Sequence, residues 1–274
     1  MKKFKRKWGR LVLIIVLGLF LIVLTIMLLV KNSSIEGSDF KLAILADDGV
    51  ALVSISPERK MINTLRLKDD ARLWVPGGLG WYRNIAIKGL LKQEKKMDLA
   101  NDLFFYNFGF KPDKLLVLSK IDDWKNKYWL KYRLNAGKML LKEELINGDI
   151  SAEENLLDEV MVRDFSETNL AKEDLRLSIF NLTNINGLAN FMARRFEWLG
   201  FSVVSTESLI EVEVDNNCLI KYGDEVDKSL GWKIINKTID CNQEYDENLN
   251  KGEIEFYFSD NFSSMIKYPS YNNI

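Results

Sequence analysis

Three pairs of adjacent aspartates are the residues best suited by type to chemistry: Asp47-Asp48, Asp69-Asp70 and Asp122-Asp123. Paired carboxylates offer the hard oxygen ligands that divalent cations take. Each pair falls at a turn or strand end, where a solvated aspartate is ordinary, so none marks a site by itself. Lys68, directly before Asp69, adds a cation to one of them. The chain has no histidine, which removes the commonest general base, the commonest metal ligand and every histidine-based triad. Its two cysteines, Cys218 and Cys241, are too few for a cysteine zinc site. No phosphate loop or nucleophile elbow is present.

The elements that would hold these residues begin with an apolar run. Leu11–Val30 carries no charge over twenty residues, enough for about 30 Å of helix, the thickness of the hydrocarbon core. Lys2, Lys3, Lys5, Arg6, Lys7 and Arg10 precede it, and Lys31 alone follows closely. The positive-inside rule then places residues 1–10 in the cytoplasm and the rest outside, in a single-pass protein of the cell membrane. The run is longer than a signal-peptide core and no Ala-x-Ala site follows it. Six of the 38 basic residues lie in this tail, leaving 32 against 39 acidic ones. The remainder is therefore acidic, which argues against a nucleic-acid partner. The lipid bilayer, through residues 11–30, is the expected partner.

Residues 31–39 read as a polar linker. Lys41–Leu45, Val50–Ile55, Met61–Leu67 and Leu73–Val75 read as strands separated by turn residues. Tyr82–Glu94 and Met97–Phe108 read as helices, Lys114–Leu118 as a further strand, and Trp124–Leu134 as an amphipathic helix. Ser151 and Glu154 form a capping-box pattern for a short helix.

The most legible unit is Leu175–Ser208. Leu177 and Ile179 alternate with polar residues in a strand, and Asn181–Asn184 is a turn. Asn186 is the expected N-cap of a helix from Gly187 to Leu199. Leu188, Met192, Phe196 and Leu199 share one face of that helix. Gly200 is placed to stop it in a left-handed conformation, and Phe201 to pack back on its last turn. Downstream, Asn217–Lys221 reads as a strand, Asp224–Leu230 as a helix ending at Gly231, and Trp232–Ile239 as a strand. Cys241–Gly252 reads as a loop and Glu253–Phe258 as a final strand. Cys218 and Cys241 lie on the outer side of the membrane in this topology. Either they form a disulfide, closing about 22 residues and worth about 3 kcal/mol, or they are two small buried apolar side chains. The bond is the reading taken.

The expected fold is thus mixed α/β (α+β): a transmembrane helix, then two small extracytoplasmic domains, the second a two-layer βαββαβ-like sandwich. The divisions fall at 1–10 (tail), 11–30 (membrane), 31–39 (linker), 40–165, 166–262 and 263–274 (tail).

Residues of both expected domains resemble LytR-CpsA-Psr cell-envelope proteins. In the second, Asn181, Thr183, Gly187, Leu188, Ala189, Leu199, Gly200, Phe201, Val203 and Val204 resemble the family's C-terminal domain, over about 175–262. Leu182 stands where the family has Gly in Asn-Gly-Thr. In the first, over about 40–120, Gly49–Pro57 and Thr64–Pro76 resemble the start of a trimmed catalytic domain. The resemblance implies transfer of a glycopolymer from a polyprenyl-pyrophosphate carrier to the cell wall. It places Leu67, Lys68 and Asp69 on the family's Pro-Arg-Asp. The family's paired arginines have no counterpart, and a lysine is a point charge where arginine would be a fork. Lys68 and Asp69 are therefore the catalytic candidates, while Asn181, Gly187, Gly200, Cys218 and Cys241 are structural. The expected function is non-catalytic binding or assembly in cell-wall or envelope biogenesis, with a cell-wall polymer or another envelope protein as partner and no cofactor. The alternative is a reduced glycopolymer phosphotransferase, which would use magnesium.

Overall fold

A computed structural model describes residues 17–18, 38–126, 140–146, 154–209, 214 and 217–262. The chain divides into two compact units, Met1–Ser34 and Ile35–Ile274. Leu17 and Gly18, the described residues of the first unit, are helical. The rest of the expected membrane span lies outside the described residues, as do residues 127–134, Ser151 and the tail 263–274. Among the described residues no helix is long and apolar enough to cross a membrane.

The second unit is a mixed α/β structure. Its first half runs β1 (Phe40–Ala46), β2 (Gly49–Ser56), β3 (Met61–Leu67), β4 (Arg72–Val75), β5 (Gly80–Arg83), α1 (Ile87–Gln93), α2 (Ala100–Phe108), β6 (Lys114–Val117) and β7 (Leu140–Ile146). These build a five-stranded sheet in the order β6-β1-β2-β3-β7. β1, β2 and β3 are antiparallel neighbours, whereas β6 runs parallel to β1 and β7 parallel to β3. Every residue of β1 and β2 is buried, so their alternation sorts side chains between two apolar layers. Ala43, Leu45, Leu52 and Leu65 face a large core with Ile87, Leu91, Phe104 and Phe108. Leu42, Ile44, Val53 and Ile55 face a smaller cluster with Leu116, Ile121 and Trp124.

The second half runs α3 (Glu154–Val160), a π-helical turn Met161–Phe165, β8 (Arg176–Asn181), α4 (Leu188–Leu199), β9 (Ser202–Ser208), β10 (Cys218–Tyr222), α5 (Leu230–Thr238), β11 (Asn242–Tyr245) and β12 (Glu253–Phe258). Its sheet has the order β11-β10-β12-β8-β9. β8 and β12 alternate buried residues with half-buried or exposed ones, as a sheet with helices on one side does. Leu177, Ile179, Ile254 and Phe256 meet Met192, Phe196 and Ile235 beneath the helices. That core is continuous with the large core of the first sheet. At the junction, a Cβ on Gly109 would lie 2.7 Å from the Arg195 carbonyl, and φ there is +81°, so only glycine fits.

Helix α4 ends as its sequence predicts. Gly200 is left-handed, with its N–H on the Glu197 carbonyl and the Phe201 N–H on that of Phe196. Four local expectations are corrected. Tyr82 lies in β5, not in a helix: left-handed Gly77, Gly78 and Gly80 turn the chain, and Trp74 pairs edge-on with Trp81 at 5.8 Å. Asn186 is not the N-cap of α4, because left-handed Gly187 takes that position without a side-chain cap. The region 224–239 is inverted. Residues 226–228 form only a 3-10 turn, and Leu230–Thr238, expected to be mostly strand, is helix α5. Ser229 caps it by accepting the Trp232 N–H at 2.9 Å, and the distant Glu173 carboxylate accepts the N–H groups of Leu230 and Gly231 at 2.7 and 2.8 Å. Finally, the expected loop after Cys241 starts with β11, and β7 was not expected at all.

Candidate functional site

The carboxyl ends of β1, β3, β6 and β7 emerge on one edge of the first sheet, since β6 and β7 run parallel to β1 and β3. Ligands of open α/β sheets bind outside such ends, and all three aspartate pairs lie there. Asp47-Asp48 turns β1 into β2 through the pair Ala46–Gly49. Asp69-Asp70 sits in a turn closed by the Ala71 N–H on the Lys68 carbonyl at 3.0 Å. Asp122-Asp123 follows β6.

Asn84 holds this edge together. Its Oδ1 accepts the Val50 N–H, and its Nδ2 donates to the carbonyls of Leu67 at 2.9 Å and Lys68 at 3.1 Å. Its own N–H reaches the Ala71 carbonyl at 2.7 Å. One buried carboxamide thus joins the start of β2 to the end of β3. Gly49 is required beside it, with φ +123° and an ideal Cβ position 2.6 Å from Asn84 Nδ2.

Around the first and third aspartate pairs, charge is cancelled locally. Lys88 Nζ lies 2.7 Å from Asp47 and donates to the Leu118 carbonyl at 2.6 Å. The hydrogen bond from Lys88 holds the Asp47 carboxyl below the usual range, against burial, with Lys92 adding to the effect. Arg66 lies between Asp122, at 3.2 Å, and Asp48, at 3.9 Å. Asp48 also accepts the Ile121 N–H at 2.8 Å. Lys125, at 2.7 Å, is the main cause of a lowered Asp122 pKa, with burial opposing and Arg66 assisting. Asp123 accepts the Lys120 N–H at 3.2 Å. Lys68 and Asp69 are exposed, and no ion pair or side-chain hydrogen bond among the described residues holds either one. The three aspartate pairs do not converge: among the described residues no group of three His, Cys, Asp or Glu could hold a metal ion.

A second polar region lies at the opposite end of the same sheet, with Lys41, Ser54, Asn63, Asp164 and Glu167 buried. Lys41, Ser54, Asn63 and Lys142 are successive cross-strand neighbours, a polar row over β1, β2, β3 and β7. The π-helical turn and the residues after it cover this row. Lys41 pairs with Glu167, both almost fully buried. Asn63 donates to the Asp164 carbonyl at 2.9 Å, and Lys142 pairs with the Asp164 carboxylate at 2.9 Å. Arg59 joins Asp39 at 2.7 Å to the carbonyls of Arg163 and Ser166. Asp113 accepts the Lys41 N–H at 2.7 Å and pairs with Lys237 of α5 at 2.6 Å.

A cavity of about 590 Å³ lies where Glu173, Asp174, Asp224, Glu225 and Lys228 meet Ser229 at the start of α5. Glu173 is already spent on the helix N–H groups. Of the residues assigned structural roles, Asn181 closes a turn: its Oδ1 accepts the Thr183 N–H at 3.0 Å and its Nδ2 donates to the Ile185 carbonyl at 2.9 Å. Gly187 and Gly200 flank α4 in left-handed conformations. Cys218 and Cys241 are joined in a disulfide, with Cα atoms 4.9 Å apart, that ties β10 to the residue before β11.

Asn84, Arg66 and Lys88 were not singled out in the sequence. Asn84 fell inside a segment read as helix, and the two cations have no spacing that sets them apart from other basic residues. The positive signal available for Asn84 was the glycine-rich turn before it, which makes a hairpin.

No family model matches the chain, and no curated protein matches it. Among solved structures the chain is similar to "LytR-CPS2A-psr family protein YwtF (TagT) with bound octaprenyl pyrophosphate lipid", at 13% identity and TM-score 0.27, over 66% of this chain and 81% of that one. It is also similar to TagT of B. subtilis, at 15% identity and TM-score 0.27, over 65% and 81%. A third likeness, TagT bound to LIIa-WTA, has 13% identity and TM-score 0.27, over 66% and 82%. Likenesses this slight carry no conclusion about this chain.

Proposed function

We propose that this chain is a membrane-anchored protein of the cell envelope, exposed outside the membrane, that binds or assembles envelope material and does not transfer it. The observation that carries the non-catalytic part is the state of the cations at the carboxyl edge. Arg66 and Lys88 are committed to Asp122, Asp48 and Asp47, so neither offers the open fork or free ammonium that a pyrophosphate needs. The extracytoplasmic location is supported by the basic residues before Leu11–Val30, and by the Cys218–Cys241 bond, which suits an oxidising compartment. A cell-wall polymer or another envelope protein is the proposed partner.

One observation favours the transferase reading instead. Lys68 and Asp69 are exposed at the end of β3, and among the described residues neither has a side-chain partner, so a ligand could reach them. Binding of a polyprenyl-pyrophosphate lipid to the full chain in detergent separates the two readings. The non-catalytic proposal expects no magnesium-dependent binding. Magnesium-dependent binding that Asp69→Ala abolishes would sink it. Retention of the full chain on purified cell-wall sacculi is the positive expectation.

A further inference from the structure

The end of β8 holds Asn181, the turn from it to α4 holds Asn184 and Asn186, and the first turn of α4 holds a fourth asparagine, Asn190. They share one neighbourhood but not one chemistry. An asparagine can cyclise when the next residue's backbone nitrogen attacks its side-chain carbonyl carbon. That step needs a free carboxamide, an unhindered following residue and a backbone N–H not held elsewhere.

Asn181 fails on the first count. It is buried, and both ends of its carboxamide are bonded, to Thr183 and to the Ile185 carbonyl. Asn184 is exposed but precedes Ile185, a β-branched residue whose N–H is donated to Thr183 Oγ1 at 3.0 Å. Asn190 lies in the helix, with its Oδ1 accepting from Thr206 at 2.8 Å, and precedes Phe191, whose N–H bonds the Gly187 carbonyl. Asn186 meets all three conditions. It is exposed, no described group holds its carboxamide or the Gly187 N–H, and Gly187 has no Cβ to block the approach. Gly187 is also already at φ +82°, in a region that side-chain-bearing residues rarely enter.

We propose that Asn186 is a site of spontaneous deamidation and isoaspartate formation in the folded protein. The deprotonated Gly187 nitrogen attacks Asn186 Cγ. A new N–Cγ bond forms, the Cγ–Nδ2 bond breaks, and ammonia leaves with the proton, giving a five-membered succinimide. Water then opens the ring at either carbonyl, giving aspartate or isoaspartate. No co-reactant besides water is needed. Either product puts a new carboxylate just before α4, where the helix dipole favours negative charge. The isoaspartyl form also moves one carbon from side chain to backbone, lengthening the turn that positions α4.

Incubation of the full chain in detergent at mildly alkaline pH, followed by peptide mapping, tests the proposal. The expected result is a mass gain of about 1 Da on the Asn186 peptide, with isoaspartate formed there and Asn181, Asn184 and Asn190 intact over the same period. Asn186→Gln should remove the signal from that peptide. A synthetic peptide spanning residues 182–190 provides the unfolded reference. Conversion in the peptide with none in the folded chain would overturn the proposal, because the fold would then protect the site. Equal conversion at Asn184 would overturn it as well. The other Asn-Gly of the chain, Asn147-Gly148, lies outside the described residues and maps to a separate peptide; conversion there with Asn186 intact would also count against the proposal.

Discussion

The two ends of the first sheet handle charge in opposite ways. At the carboxyl edge, Arg66 is paired with Asp122 and Asp48 in open solvent, with 26%, 55% and 41% of the side chains exposed. At the other end, Lys41 and Glu167 pair with 3% and 5% exposed. Exposed pairs are worth little, because water screens them and they cost side-chain entropy. A buried pair has lost its water, so removing one partner strands the other charge in a medium that cannot solvate it. The edge that most resembles a site is therefore the cheaper one to alter. The end that resembles nothing in the sequence is where substitution should do most damage, since its partners lie up to 129 residues apart and tie the two halves of the chain together.

The sharpest way to break this comparison is Lys41→Ala, which leaves Glu167 buried without its cation. A loss of about 3–5 kcal/mol is expected in denaturant unfolding. A loss comparable to that of an exposed pair would mean that water reaches the buried row. Reducing the Cys218–Cys241 bond should cost about 3 kcal/mol in the chain-entropy model, read as a lower melting temperature in reductant. Asn84→Ala should cost about 1–3 kcal/mol, because the Val50 N–H and the Leu67 carbonyl lose their partner. Asn84 is a place on the carboxyl edge where a single residue matters, because its bonds are buried.

A smaller effect concerns pH. Burial, the largest influence on Asp164, pushes its carboxyl up, but the hydrogen bonds and charges of Arg163 and Lys142 together outweigh it and hold the group below its ordinary 3.8. A folded-state value below the unfolded one gives stability that is present above 3.8 and lost as pH falls through the lower folded value. Unfolding free energy measured across that acid range should therefore fall less steeply in Asp164→Asn than in the parent chain. The smallest expected effect is that of Lys68→Ala and Asp69→Ala, each within about 0.5 kcal/mol of the parent, since among the described residues neither side chain has a partner to lose. A loss above 1 kcal/mol, in ~two-state unfolding, would place a contact there.

Much of the local structure was legible. The bounds of β3 and the arrest of α4 at Gly200 follow from alternation and from a left-handed glycine, both of which act over a few residues. The exchange of helix and strand between 224 and 239 was not legible. Ser229 is a local cap, but Glu173, which satisfies two further N–H groups of α5, lies 57 residues away from Leu230. Tyr82 was misread for a related reason: its helical spacing is real, but its pairing with Leu73 across the glycine turn decides the conformation.

By itself the sequence determined the periodicities, the turns, the charge asymmetry around Leu11–Val30, the absence of histidine and the availability of two cysteines. These are properties of neighbours in the chain or of composition, and chain connectivity enforces them. Only the tertiary structure decided that Cys218 meets Cys241, that Asn84 fastens β2 to β3, and that Lys41 must find Glu167. It also decided that the three aspartate pairs share an edge without converging on one point. Each of these depends on which distant groups lose water together, and desolvation is a property of the packed fold.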